Sequence, residues 1–119
     1  MVSPSKSVVP SQASGRSELG FWHELNGVEI LFASTPSPVT QSDVDVRLRF
    51  RVEQIDPATT RLRAKLWPLG NPEPADWSFE ALDTAPALQG VAGSIAFDVY
   101  NYFGTAHVFF DDVVVTSLD

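Results

Sequence analysis

Cysteine is absent from the 119 residues, so neither a disulfide framework nor a thiolate metal site can support the fold, and the chain carries no mark of a redox compartment. Positive charge is scarce: 8 Lys and Arg stand against 15 Asp and Glu, for a formal net charge of −7. A dedicated nucleic-acid binder needs an excess of cations to neutralise phosphates, so that class is not expected. No stretch approaches the roughly 20 consecutive apolar residues of a membrane span, so no membrane partner is expected either. Histidine occurs twice, as His23 and His107, in no metal-binding spacing and beside no Gly-x-Ser-x-Gly nucleophile motif. A glycine-rich phosphate loop is missing as well.

What remains is the composition of one ordinary globular domain, 44% hydrophobic and 19% charged, with phenylalanine and valine prominent. These residue types lean toward strands, and no window has helical 3.6-residue periodicity. Residues 1–18 carry Ser3, Pro4, Ser5, Ser7, Pro10, Ser11, Ser14 and Ser17. They lack the continuous apolar region of a signal peptide and read as a disordered tail or linker. Any export signal would then sit on a longer precursor, in which case an extracellular or cell-surface address is favoured.

From Leu19 the texture changes. Two strand-like runs, Leu19 to Leu25 and Val28 to Ala33, flank Asn26-Gly27, a pair suited to a type I′ turn because both central residues need positive φ. The second run should stop where Ser34 to Pro38 begins. Val44 to Glu53 alternates strictly, with Val44, Val46, Leu48, Phe50 and Val52 on one face and Asp45, Arg47, Arg49, Arg51 and Glu53 on the other. After the turn residues Asp56 to Thr60, the run Arg61 to Trp67 alternates again, and the two strands are expected to pair antiparallel. Three prolines between Pro68 and Asp76 demand a surface loop. Strands are then expected at Trp77 to Leu82, Ser94 to Tyr100 and His107 to Thr116, about seven in all. The expected fold class is all-β, an antiparallel sandwich over residues 19–119.

The runs Val46-Arg47-Leu48-Arg49-Phe50-Arg51-Val52-Glu53, Arg61-Leu62-Arg63-Ala64-Lys65-Leu66-Trp67, Asn71-Pro72-Glu73-Pro74-Ala75-Asp76-Trp77 and Phe110-Asp111-Asp112-Val113-Val114-Val115, in that order, resemble the C-terminal half of concanavalin A-like (laminin G-like) jelly-roll domains. Such domains are accessory modules of bacterial and phage proteins. The resemblance implies a jelly-roll sandwich, a non-catalytic accessory role and carbohydrate or another extracellular polymer as the partner. Complete domains of that family have further strands. A partial sandwich exposes core faces and open edges, so a partner chain or a homo-oligomer that completes it is also expected. The alternative role is a structural or assembly module of a bacterial surface or phage protein.

Six of the eight basic residues, Arg47, Arg49, Arg51, Arg61, Arg63 and Lys65, fall on the outward faces of two neighbouring strands, with Trp67 at the end of the row. They have two readings. In one the face binds a ligand, the aromatic stacking on a sugar ring and the cations bonding its polar groups. In the other the arginines cover the sheet and pair with carboxylates such as Glu53, Glu80 and Asp98. Trp22, Trp77, Tyr100 and Tyr102 are further stacking candidates, although Trp77 also reads as an anchor onto the sheet and Trp22 as core or edge cover.

Asp111 and Asp112 are the metal candidates. Adjacent carboxylates suit the oxygen shell of a structural calcium, but consecutive strand residues point to opposite faces and need a bulge to act together. Catalysis is not expected. Jelly-roll glycosidases place two carboxylates on one strand face in a Glu-x-Asp-x-x-Glu type run, and no such run occurs; Glu73 with Asp76 and Glu24 with Glu29 build no pocket by themselves.

Overall fold

The computed structural model describes residues 5–11, 18–40, 44–92 and 109–118, with the first segment described by its backbone. Six strands lie among the described residues: β1 (Ser5–Ser11), β2 (Glu18–Leu25), β3 (Val28–Pro36), β4 (Val46–Asp56), β5 (Thr59–Pro68) and β6 (Phe79–Asp83). They form two antiparallel three-stranded sheets, ordered β1-β2-β3 and β4-β5-β6. A single 3₁₀ turn over Pro86–Leu88 is the helical element among the described residues. The chain is therefore all-β.

The hairpin turn is as expected. Asn26 and Gly27 have φ of 54° and 77°, the two positive values a type I′ turn requires. Past the turn, β3 runs three residues beyond Ala33, because it is an edge strand on which Pro36 interrupts no further ladder. A bulge opposite Phe21 and Trp22 leaves Phe32 as the extra residue. Leu31 lies over Gly20, where an added Cβ would come within 2.9 Å of its Cδ1.

Two expectations need correction. The Ser/Pro-rich start is not wholly a tail: Ser5–Ser11 pairs with Glu18–Glu24 and supplies the backbone partners that the free side of β2 would otherwise lack. Pro10 is tolerated there because β1 is an edge strand. Of the strand expected over His107 to Thr116, residues 109–116 are described, and they belong to no sheet among the described residues. Strong β propensity in this run is not accompanied by a ladder among the described residues, and Asp112 adopts a left-handed φ of 52° in its middle. The strand expected over Ser94 to Tyr100 lies outside the described residues.

The inner faces of the two sheets meet at Phe21. Its ring stacks on Phe79 of β6 at 4.4 Å between centroids and tilts against Phe50 of β4 at 5.9 Å. Leu19, Phe21, Leu62 and Ala64 are fully buried, with Phe32, Ala33, Phe50, Phe79 and Ala81 packed around them. Alternation in β5 delivers Thr60, Leu62, Ala64 and Leu66 to this core. One polar contact also crosses between the sheets, His23 Nδ1 to the buried Asp83 Oδ2 at 3.3 Å, with the imidazole stacked on Phe32.

Strand position decides how well the alternation is used. β5 is central and its inner face is closed, whereas Val46, Leu48 and Val52, on the corresponding face of the edge strand β4, remain 41–45% exposed. Because Phe21 touches both partners of the second sheet, Phe21→Ala should cost about 3–5 kcal/mol in urea unfolding. A cost under about 1 kcal/mol, the size of an average substitution, would contradict this packing.

Candidate functional site

The outer face of the second sheet gathers every basic residue singled out in the sequence. Strand register sets the grid: Arg47 lies opposite Trp67, Arg49 opposite Lys65, Arg51 opposite Arg63 and Glu53 opposite Arg61. On the other side of β5, Glu80 faces Arg63. Like charges placed directly across a ladder destabilise it, so the two all-cationic rungs require acids within reach.

Glu53 and Glu73 fill that need. Glu53 Oε2 accepts from Arg61 Nη2 at 2.8 Å and from Arg63 Nη2 at 3.3 Å, and it lies 3.4 Å from Arg51 Nη2. The hydrogen bond from Arg61, and then the charges of Arg51, Arg61 and Arg63, hold this carboxyl below its ordinary range against the opposing effect of burial. The same hydrogen bond raises the Arg61 guanidinium. Glu73 Oε1 bridges the next rung, 2.9 Å from Lys65 Nζ and 3.0 Å from Arg49 Nε. Its carboxyl is lowered by the hydrogen bond from Lys65 first and by the charges of Arg49 and Lys65 next. Glu80 lies 3.8 Å from Arg63 Nε, and Asp112 lies 3.6 Å from Arg47 Nη2. Terminal guanidinium nitrogens take most of these contacts; the enclosed Nε groups of Arg51 and Arg61 meet no acceptor among the described residues.

The proline-rich loop folds back onto this face. Lys65 Nζ donates to the carbonyl of Pro74 at 2.7 Å, the amide of Leu69 donates to Asp45 O at 2.8 Å, and Ser78 Oγ accepts from the amide of Leu66. Trp77 is thereby placed with its ring 5.0 Å from both the Arg63 guanidinium carbon and the Lys65 ammonium. It anchors the loop on the sheet. Prolines forbid a ladder here, but they also stiffen the loop enough to deliver Glu73 and Trp77 to the cations.

Of the residues expected to touch a ligand, Arg47 and Arg49 have side chains about half exposed, Arg61 and Arg63 are largely covered, and Lys65 and Trp67 are buried. The row thus does not end in an open aromatic: Trp67 is 7% exposed and offers no free ring face. Trp22 is half-buried beside the core residue Phe21. Tyr100, Tyr102, His107 and Asp98 lie outside the described residues. Glu53 and Glu80 serve as the foreseen counter-charges, while the parts of Glu73 and Asp112 went unforeseen. In Glu73 the signal was its place in a loop leaving a basic strand; for Asp112 no spacing rule could supply it.

Of the carboxylates considered for chemistry, Glu73 is engaged by two cations, and Glu24 and Glu29 are cross-strand neighbours in the β2–β3 ladder. Asp111 Oδ1 accepts from the backbone amide of Asp112 at 2.8 Å. No group of three or more His, Asp or Glu fit to hold a metal occurs among the described residues, so a calcium at Asp111 and Asp112 would need ligands from elsewhere. Among the described residues no helix is long and apolar enough to cross a membrane.

Both lowered carboxyls fix a sign. Their stabilising effect is present above the usual carboxylate range and is lost as pH falls through their folded values. Acid unfolding of Glu53→Gln and Glu73→Gln should therefore show a shallower loss of stability with falling pH than the parent chain. An unchanged acid limb in both variants would refute the assignment. Comparison with protein-family models, with curated proteins and with solved structures returned no match.

Proposed function

We propose that the chain is a non-catalytic β module that joins a larger assembly by accepting an extended strand at β4, with the concanavalin A-like jelly roll as its parent architecture. The observation that carries this reading is the state of β4. It is an edge strand paired with β5 alone among the described residues, and Val46, Leu48 and Val52 on its inner face stay two-fifths exposed. An edge of this kind offers a row of backbone donors and acceptors beside an apolar strip, the chemistry used in β-strand addition. Arg47, Arg49 and Arg51 on its outer face select the partner's charge. A second β4 would bring arginine against arginine, whereas an acidic strand is attracted.

A second reading has one observation in its favour. Among the described residues six cations on the outer face meet four carboxylates, Glu53, Glu73, Glu80 and Asp112, and Arg47 and Arg49 remain half exposed. That surplus suits an anionic polysaccharide. The neutral-sugar stacking role has less support, since Trp67 is buried and Trp77 is engaged by Arg63 and Lys65.

Titrating the isotope-labelled chain with an extended peptide of alternating valine and aspartate, and separately with a sulfated oligosaccharide, distinguishes the readings. Strand addition predicts shifts in the β4 amides from Val46 to Val52 with the peptide. Shifts confined to the Arg47 and Arg49 side chains, and produced by the oligosaccharide alone, would replace it with the second reading; no response to either would remove both.

A further inference from the structure

The run Phe109 to Val115 has the composition of a strand and carries one feature that spoils strict alternation, the two adjacent aspartates. In a regular strand Asp111 would share a face with Val113 and Val115, placing a charge among apolar side chains. Asp112 has φ of 52°, the left-handed conformation that the first residue of a G1-type β-bulge, usually glycine, adopts. A bulge there lets Asp111 and Asp112 occupy one side together, with Phe110, Val113 and Val115 on the other. Exposure follows this division: Phe109 and Val114 are 88% and 81% exposed, while Phe110 and Val113 are each 53% exposed. The aspartate side is turned toward β4, since Asp112 lies 3.6 Å from Arg47.

From this geometry we infer that residues 110–115, which form no ladder among the described residues, close as a bulged strand onto the edge of β4 that the described residues leave open, setting Asp111 and Asp112 against Arg47 and Arg49 and carrying Phe110, Val113 and Val115 alongside Val46 and Leu48. The inference rests on the reading of β4 as a strand-accepting edge and names its regulation. The segment is an intramolecular occupant that an incoming acidic, apolar strand must displace. Self-occupation also keeps an exposed, β-prone run and an open edge from joining other molecules indiscriminately.

The test uses the full chain. Amide hydrogen exchange is measured for 110–115 and for β4 in the parent, in Arg47→Glu, in Asp112→Arg and in the double variant, with mass in solution measured on each sample. Docking predicts a monomer whose 110–115 amides exchange about tenfold more slowly than in either single variant, with protection returning in the double variant. It further predicts that Asp111→Lys with Asp112→Lys strengthens binding of the valine-aspartate peptide by about tenfold, because the edge is vacated. Exchange of 110–115 at the rate of a free chain in the parent would overturn the inference, as would no recovery in the charge-swapped pair. A dimer whose protection grows with concentration would also overturn it, making a second copy the occupant. If the peptide shifts β4 while 110–115 is unprotected, the strand-accepting reading stands and only this inference fails; if the peptide shifts nothing even in the lysine variant, the reading itself fails.

Discussion

Phe21 has to satisfy two sheets at once. Its ring rests on Phe79 and Phe50, which belong to opposite edges of the second sheet, and the fully buried Leu62 and Ala64 of the central strand complete the cluster. The six strands among the described residues enclose a small core, and a two-stranded ribbon by itself is marginal in water. The flat aromatic contact therefore decides which faces become inner faces. Once β5 turns Leu62 and Ala64 inward, Arg61, Arg63 and Lys65 have nowhere to go but outward, and the rest of the electrostatic arrangement follows.

That outward row would be self-repelling if left alone. Glu53 gathers three arginines, and Glu73 arrives from a loop whose prolines keep it out of the ladder. Charge neutralisation and loop anchoring are thus one event: Trp77 and the Pro74 carbonyl settle on the same Arg63 and Lys65 that Glu53 and Glu73 serve. A sheet face stabilised this way is stiff and largely committed to its own partners, which shifts the more available chemistry to the β4 edge. At the other end of the sheet, Gln89 ties the turn after β6 to the β4–β5 turn through Gln54 and Thr60. Among the described residues β4 is held by a ladder on one side, that of β5.

Local rules reached the strands they govern. Asn26-Gly27, the alternation of Val46 to Glu53 and of Arg61 to Trp67, and the proline loop could all be read from neighbours in sequence, because turn chemistry and period two are local properties. What could not be read depends on pairing over distance. Ser5–Ser11 looks like a tail until β2 offers it a ladder, and Phe109 to Val115 looks like a strand although it is assigned to no sheet among the described residues. Burial of Trp67, on the outward side of its strand, likewise depends on tertiary surroundings that alternation does not encode. The parts played by Asp83 and Glu73 are of the same kind, each being fixed by a side chain from another strand or loop.

Through the Phe21 contact the two sheets form one cooperative unit. Following urea unfolding residue by residue through amide NMR signals tests this directly. The prediction is that the β2 amides from Leu19 to Trp22 and the β5 amides from Arg61 to Lys65 are lost at a single midpoint. Loss of the β2 signals while β5 stays folded would contradict it and leave the second sheet as an independent unit.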